Sequence, residues 1–596
     1  MTPRLLSLLV GLAACAAGSG VAVAEPRAQI RGEMPDDLRG QLERAVGEAD
    51  NPPANRFEAR RRARAARDLA EALLRSEGYY QSTLEDIVEG EETPVAIVSV
   101  VPGRRFLLTA PTVSWVAPEP EPAPAAEALA AIELEAGEPG RAVDVIAGEG
   151  RAVASLVRNG YADAEATPRR VVVDHATFTV APEYRIASGR LVLLNGVRLE
   201  TRGRTNPRWV AYLAPWREGD RYDPELVAEL ERRLLETGVY DGVGVALSPR
   251  EQTNEQGHRP VVVTLTDRPR RVQEVGVTLS TAEGYGLDGV WTQYNRFGRA
   301  DTLRYEARIA SIDSRLGARL NLPHWRRPGR TLVLSGFLLQ ETTEAYDRTG
   351  ASLAADLRQR LGKTSWFSYG AGLDAGRYYE TRFDPATNQV ETFDRDLYIA
   401  TARGAAYLDR SNDALDPTTG WRLTVNAQPT LVGGDDEAVF LRAESQVTAY
   451  LPLQDDGKTV AAGRLRLGSI LGADETVVPS DRLFYSGGGG SVRGYEYQGV
   501  APRLPDGRPR GGLSLFEASA ELRRQIRGNL GAAVFVDAGS VGFDAAPDFS
   551  NLRYAAGFGV RYRLPFGPIR ADIAFPLDKR EGDADFQIYV SIGQAF

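Results

Sequence analysis

The sequence predicts a multidomain chain in which three small α+β modules stand ahead of a transmembrane antiparallel β-barrel. Three observations point to it. A helix end, a glycine and an aromatic recur together three times, about eighty residues apart, a spacing suited to a small repeated domain and too long for a solenoid. From about Arg271 onward, strand-like alternation of apolar and polar residues replaces helical patterning. The segment Leu5 to Ala24 is uncharged, follows Arg4 and closes on Ala22-Val23-Ala24, which reads as an export signal cleaved after Ala24.

In chain order, residues 1–24 are the expected signal peptide. Leu12-Ala13-Ala14-Cys15 also has the form of a lipoprotein box with Cys15 as the acylated residue, and both routes lead out of the cytoplasm. Residues 25–104 form the first expected module, with helices over Asp36 to Val46 and Phe57 to Leu74 and a closing strand over Val95 to Val101. The second covers 105–184 and the third 185–269. The recurring helix ends are Leu73 to Tyr80, Leu156 to Tyr161 and Leu234 to Tyr240; Gly78, Gly160 and Gly238 suit left-handed C-caps, and an aromatic starts each following strand. The third module is the clearest, with strand Leu191 to Gly196, helices Arg208 to Leu213 and Pro224 to Glu236, and strands Val243 to Leu247 and Val261 to Leu265. This β-α-α-β-β order lets two helices cover one face of a small sheet. The Glu119-Pro120-Glu121-Pro122-Ala123-Pro124 tract reads as a stiff, extended insertion.

Residues 270–596 are the expected barrel. In Leu423 to Gln428 and Leu441 to Tyr450 the apolar set is odd-numbered, and in Arg553 to Leu564 it comprises Tyr554, Ala556, Phe558, Val560, Tyr562 and Leu564. Alternation alone fits a soluble sandwich as well as a barrel with its apolar face in lipid. Export, the lack of a helical domain in this region and an aromatic-ended last strand decide for the barrel, and no apolar run after the signal is long enough to span as a helix. The last strand places Phe586, Ile588, Val590, Ile592 and Phe596 on one face.

Composition narrows the chemistry. With 596 residues, 43% of them hydrophobic, and a net charge of −9, the chain is too apolar for disorder. Cys15 is the sole cysteine, and His175, His258 and His324 are far apart without partner ligands, so neither a disulfide framework nor a metal site is expected. No nucleophile–base pair and no cofactor fingerprint is present; no enzyme activity and no cofactor is expected.

The most informative stretch is Ser486-Gly487-Gly488-Gly489-Gly490-Ser491-Val492-Arg493-Gly494-Tyr495. Its glycines allow the backbone to fold back into a confined space, and what they carry in is one arginine beside an aromatic. A P-loop would end on Gly-Lys-Ser/Thr, and a linker mixes Gly with Ser and rarely ends on Val-Arg-Gly-Tyr.

The three modules, this loop, the Phe535-Val536-Asp537-Ala538-Gly539 strand and the terminal Phe together resemble the BamA/TamA superfamily of outer-membrane assembly factors, which join POTRA domains to a 16-stranded barrel. The similarity covers essentially the whole mature chain. Three modules and the run Asp481 to Gly488 leading into Arg493-Gly494-Tyr495 look most like the TamA family. The resemblance implies a bacterial outer-membrane location with the POTRA modules in the periplasm, and a role in inserting autotransporters and other barrels. It implies as partners unfolded outer-membrane clients, outer-membrane lipid and an inner-membrane-anchored protein of the TamB kind, with no nucleic acid among them. It makes Val492, Arg493, Gly494 and Tyr495 part of the sixth extracellular loop, folded into the lumen, with Glu521 and Asp537 as acidic partners of Arg493. Alternation agrees: Leu530, Ala532, Val534 and Val536 face one way, leaving Asp537 inward, and Phe516, Ala518, Ala520 and Leu522 leave Glu521 inward. The expected seam joins Glu274 to Thr281 with Gln587 to Phe596. Leu408 to Trp421 resembles a turn common in the superfamily, and its Asp, Asn, Pro and Gly suit a tight hairpin. The rival reading is a channel exporting an unfolded polypeptide, like a two-partner-secretion transporter; closure of the lumen by the Arg493 loop separates the two.

Overall fold

The computed structural model describes residues 28–47, 52–280, 284–362, 364–384, 389–454, 456–564 and 567–596. The expected signal peptide with Cys15 lies outside the described residues, as does Thr281 of the expected seam. The chain divides into two compact units: Met1–Gly196, Trp216–Ala228 and Leu247–Val261 in the first, and Val197–Pro215, Glu229–Ala246 and Val262–Phe596 in the second.

The first sheet has the order Gln29–Arg31, Val95–Val101, Thr83–Glu89. Helices Asp36–Val46 and Arg56–Ser76 share its core. Asn55 caps the second helix by accepting from the Glu58 N–H at 2.8 Å. The buried stripe of that helix is Ala59, Ala63, Ala66, Ala70 and Leu74, nearly all small, so the helix can lie close to the sheet.

In the second sheet Thr179–Ala187 pairs in parallel with Leu107–Leu108 and Thr112–Val116, and antiparallel with Glu165–Asp174. Helices Pro122–Ala130 and Ala142–Arg158 accompany it. The Glu119 to Pro124 tract therefore differs from the expected insertion. Pro122 opens a helix, because a proline in the first turn gives up no hydrogen bond, and the alanines after it continue the helix. Tyr184 donates its buried hydroxyl to the Val145 carbonyl at 2.8 Å, and burial pushes its pKa up to about 12. A Cβ on Gly148 would lie 3.0 Å from that hydroxyl, so glycine there admits the tyrosine.

The third sheet has the order Leu193–Thr201, His258–Asp267, Tyr240–Leu247, with helices Pro207–Leu213 and Pro224–Leu235. Gly78, Gly160 and Gly238, which end the recurring helices, have φ of 93°, 96° and 67°. Such values put a Cβ against the backbone, which is why glycine recurs there.

The region from Arg271 to Ile592 is one sixteen-stranded sheet in which strands pair antiparallel with their sequence neighbours. It is the barrel. Strand length rises from 10 residues in Arg271–Ser280 to 20 and 21 in Ser365–Asp384 and Gln389–Asp409, then falls to 6 in Gln587–Ile592. Val275, Val439, Val534, Phe558 and Val590 are exposed on the outer face, and residues of opposite parity, such as Glu517, Asp537 and Asp572, are buried inside. Among the described residues no helix is long and apolar enough to cross a membrane.

The last strand is shorter than its sequence pattern. Phe586, Ile588 and Val590 are exposed on the outer face, but the strand stops at Ile592 and Gly593 turns at φ 90°. Phe596 consequently leaves that face. It packs inside against Tyr450, Val460 and Ala462, with the guanidinium carbons of Arg464 and Arg523 5.8 and 5.4 Å from its ring centroid. Two cations over one aromatic hold it in the lumen more favourably than a lipid-facing position one turn beyond the strand.

Candidate functional site

Strands Thr459–Leu471 and Ser514–Arg527 are joined by a long connection, residues 472–513, which packs within the barrel. Val478, Leu483, Phe484, Ala501 and Leu513 from this loop share an apolar core with inward residues such as Tyr378, Ile399, Phe440 and Ile470. The loop is also fixed by two sets of charges.

The first set lies at its start. Arg348 donates to Asp481 at 2.7 Å, Arg482 donates to Asp374 at 2.9 Å, and the Ser480 N–H donates to Glu380 at 3.1 Å. Arg382 bridges Glu380 (2.5 Å) and the Val478 carbonyl (2.6 Å). These partners were not singled out from sequence; inward parity in their strands was the available signal.

The second set surrounds Arg493. Its Nε and Nη2 donate to the two oxygens of Asp537 at 2.7 and 2.9 Å, its Nη1 donates to Glu521 at 2.8 Å, and its backbone N–H donates to Asp537 at 3.1 Å. The residue is 2% exposed, Asp537 0% and Glu521 3%, so the contacts are dry and the planar fork fixes orientation as well as distance. The guanidinium carbon also lies 3.4 Å from the centroid of the Phe535 ring. Glu521, in turn, accepts from Arg523 at 2.8 Å and Arg561 at 3.4 Å. Asp572, absent from the sequence-derived site, sits 3.5 Å from Arg493 and pairs with Arg561 and Arg570. The structure thus brings Arg493, Glu521 and Asp537 together and adds Asp572 with three further arginines.

Around the arginine the backbone is tightly housed. The Gly494 N–H donates to the Tyr589 hydroxyl, which donates to the Tyr495 carbonyl, both at 3.1 Å, and the Tyr495 hydroxyl donates to the Tyr554 carbonyl at 3.0 Å. Gly494 has φ 100°, and a Cβ there would lie 3.0 Å from that of Ala555. On the facing strand, a Cβ at Gly539 would come 2.6 Å from Val492 and 3.0 Å from the Ser486 hydroxyl. Glycine on both sides is what admits the loop. The glycine run is bound as well, since Arg464 donates to the carbonyls of Gly490 and Ser491 at 2.7 and 2.6 Å, and Ser486 donates to Glu517 at 2.9 Å.

At the opposite mouth, the segment expected as a tight hairpin is a longer loop, residues 410–419. Asn412 and Asp413 accept backbone N–H groups within it, so side chains rather than a two-residue turn set its shape. Asp416 at its tip accepts from Arg563 and Gln594, both at 2.8 Å, so the loop reaches the chain just beyond the last strand.

Residues 295–596 match the family described as the Omp85 superfamily domain. The chain is 24% identical over 449 residues to outer membrane protein assembly factor BamA of Nitratidesulfovibrio vulgaris (strain ATCC 29579 / DSM 644 / CCUG 34227 / NCIMB 8303 / VKM B-1760 / Hildenborough), covering 73% of this chain and 55% of that protein. It is 23% identical over 476 residues to BamA of Neisseria meningitidis serogroup B (strain ATCC BAA-335 / MC58), covering 70% and 58%. The chain spans about half the length of the curated relatives it matches. In fold it resembles a crystal structure of BamA from Haemophilus ducreyi lacking POTRA domains 1-3, with a TM-score of 0.67 and 19% identity over 81% of this chain and 99% of that one. These relatives carry the BamA name and do not support the narrower TamA assignment. With the match extending over half of its length, the chain belongs to the Omp85 superfamily.

Proposed function

We propose that this chain assembles β-barrel proteins into the outer membrane, receiving client strands at the seam between Arg271–Ser280 and Gln587–Ile592. As an Omp85-superfamily protein it lies in the outer membrane, with its α+β modules in the periplasm.

The observation that carries the proposal is the length of the last strand. Six residues at about 3.3 Å each extend roughly 20 Å, short of the roughly 30 Å hydrocarbon core, whereas a spanning strand needs about 9–11 residues. The bilayer beside such a strand has to thin. A client strand that enters beside it by β-augmentation lengthens the sheet where it is shortest and relieves that mismatch. The latched loop packs inside the barrel against inward-facing residues, which favours a sideways route into lipid over export through the pore. No step requires covalent catalysis.

The run from Asp481 to Gly488 supports a TamA-like role, with autotransporters among the clients and a TamB-like, inner-membrane-anchored partner on the first module. Crosslinking from the first module in cells tests that partner. For the main function, the protein is reconstituted in vesicles and offered an unfolded β-barrel client. Faster appearance of protease-resistant client with low ion conductance supports insertion; high conductance without faster client folding would favour the exporting channel.

A further inference from the structure

The segment Thr201 to Asn206 is tied to the turn between the second and third barrel strands, Gly284–Tyr294 and Thr302–Ala310. The Asn206 N–H donates to the Gly298 carbonyl at 2.8 Å, Asn295 donates to the Thr205 hydroxyl at 2.9 Å, and the hydroxyls of Thr205 and Tyr240 are 2.9 Å apart. These bonds fix a cleft of ≈ 780 Å³ whose walls include Arg202, Arg204, Arg268 and Arg270, with Leu265 and Tyr294 as apolar lining.

The charge in this cleft is unbalanced. Arg268 donates to the Gly238 carbonyl at 2.8 Å, lies 5.0 Å from the Tyr294 ring centroid and has a distant carboxylate in Asp241 at 3.9 Å. Among the described residues no carboxylate forms an ion pair with Arg202, Arg204, Arg270 or Arg271. Repulsion from Arg204 holds the Arg270 guanidinium below its ordinary pKa, with burial, Arg271 and Arg296 adding to the effect. Glu200 and Asp267 line the cleft as well; Glu200 faces Arg198 at 3.4 Å and Asp267 accepts the Arg204 backbone N–H at 3.4 Å, so four guanidinium groups stand against two carboxylates and positive charge is in excess.

Their level relative to the membrane follows from register. Arg271 opens the first barrel strand; two residues on, Gln273 lies opposite Trp291, whose exposed ring stacks on that of Tyr305 at 5.4 Å. Trp and Tyr on the outer face mark the headgroup layer, and Val275 and Val277 beyond them are fully lipid-directed, 79% and 71% exposed. Arg204, Arg270 and Arg271 therefore stand just on the water side of the aromatic level. We propose that the cleft binds the phosphate of an anionic phospholipid of the periplasmic leaflet, with the acyl chains continuing along the outer face of the first strand. Guanidinium forks match phosphate oxygens in pairs, and a zwitterionic headgroup would bring an unwelcome cation into the cluster. The inference rests on the membrane placement of the barrel and is independent of client insertion.

The test is native mass spectrometry of the full chain released from detergent, titrated with phosphatidylglycerol or phosphatidylcholine. The unmodified protein is expected to hold one phosphatidylglycerol molecule tightly and phosphatidylcholine weakly, and inorganic phosphate is expected to compete only in large excess. In Arg204→Gln/Arg270→Gln, shown to be folded by heat-modifiable migration, affinity should fall roughly thirtyfold, the effect of two arginines beside an anionic surface. Arg204→Lys/Arg270→Lys should recover part of it. Equal retention of the two lipids by the unmodified protein would overturn the proposal, as would unchanged retention in the Gln variant. Saturation of the cleft by inorganic phosphate alone, at concentrations comparable with the lipid, would identify it as a free-phosphate site instead.

Discussion

Arg493→Ala isolates the latch. In the folded chain this guanidinium supplies both side-chain bonds to Asp537 and one to Glu521, in a site where all three residues are at most 3% exposed. Glu521 keeps Arg523 and Arg561 after the substitution, whereas among the described residues Asp537 keeps only the hydrogen bond from the backbone N–H of residue 493. The penalty therefore falls on Asp537, and stranding one member of a buried pair costs about 3–5 kcal/mol. The sixteen strands pair independently of the loop, so the loss is expected in loop seating, with the barrel still folded. A loss of that size raises the open fraction of the loop roughly a hundredfold or more. A cysteine in place of Val492, 0% exposed and without a polar contact to lose, reports the opening. A membrane-impermeant thiol reagent added to intact cells should leave Val492→Cys unlabelled and label it readily once Arg493→Ala is added. Arg493→Lys should give an intermediate rate, because an ammonium restores charge without the fork. Rapid, equal labelling in all three backgrounds would show that the loop is not held by this arginine.

Gly539→Ala should loosen the same loop from the other side, at a cost of about 1–3 kcal/mol, because the added methyl meets Val492 and Ser486; protease nicking in 472–513 would rise, and unchanged resistance would argue against the close approach. Asp416→Ala should alter stability by only about 1 kcal/mol, as expected for a partly exposed pair, yet speed amide exchange in Gln587–Ile592; exchange at the parent rate would mean that the 410–419 loop does not restrain the last strand. His324 accepts from the Gly329 N–H at 3.1 Å and places Nε2 2.9 Å from the Arg233 carbonyl, which suits a neutral ring, and burial depresses its pKa below 6.5. Its contribution to stability is then complete above about pH 6.5 and declines as pH falls, since the unfolded chain takes up a proton that the folded chain resists. Thermal unfolding from about pH 8 to about pH 5 should show this decline, and His324→Gln should flatten it.

Much of this architecture is legible in the sequence because it is written in local periods. Asp36–Val46 and Val95–Val101 run over the residues that patterning indicates, and strand parity alone turns Asp537 and Glu521 inward. Parity does not reveal which inward residues share a level on strands that are not neighbours. That is why Asp572, Arg561 and Arg570 around the latch, and Arg348 and Asp374 around Asp481 and Arg482, emerge only from the register of the sixteen-stranded sheet. The contacts of Asp416 and Phe596 cross the barrel mouth and have no local signature at all. At Pro122 a composition rule, proline-rich meaning extended, gave way to a positional one, since the same residue is well suited to open a helix.

The central claim is that clients enter the membrane through the seam. Cysteines set at facing positions in Arg271–Ser280 and Gln587–Ile592 allow the seam to be locked by oxidation and released by reduction in one reconstituted sample. The measurement is the rate at which an unfolded β-barrel client becomes protease-resistant in the vesicles. The account predicts a rate no better than that of protein-free vesicles when the seam is locked, and recovery on reduction with the barrel folded throughout. Full client insertion through a locked seam would contradict it.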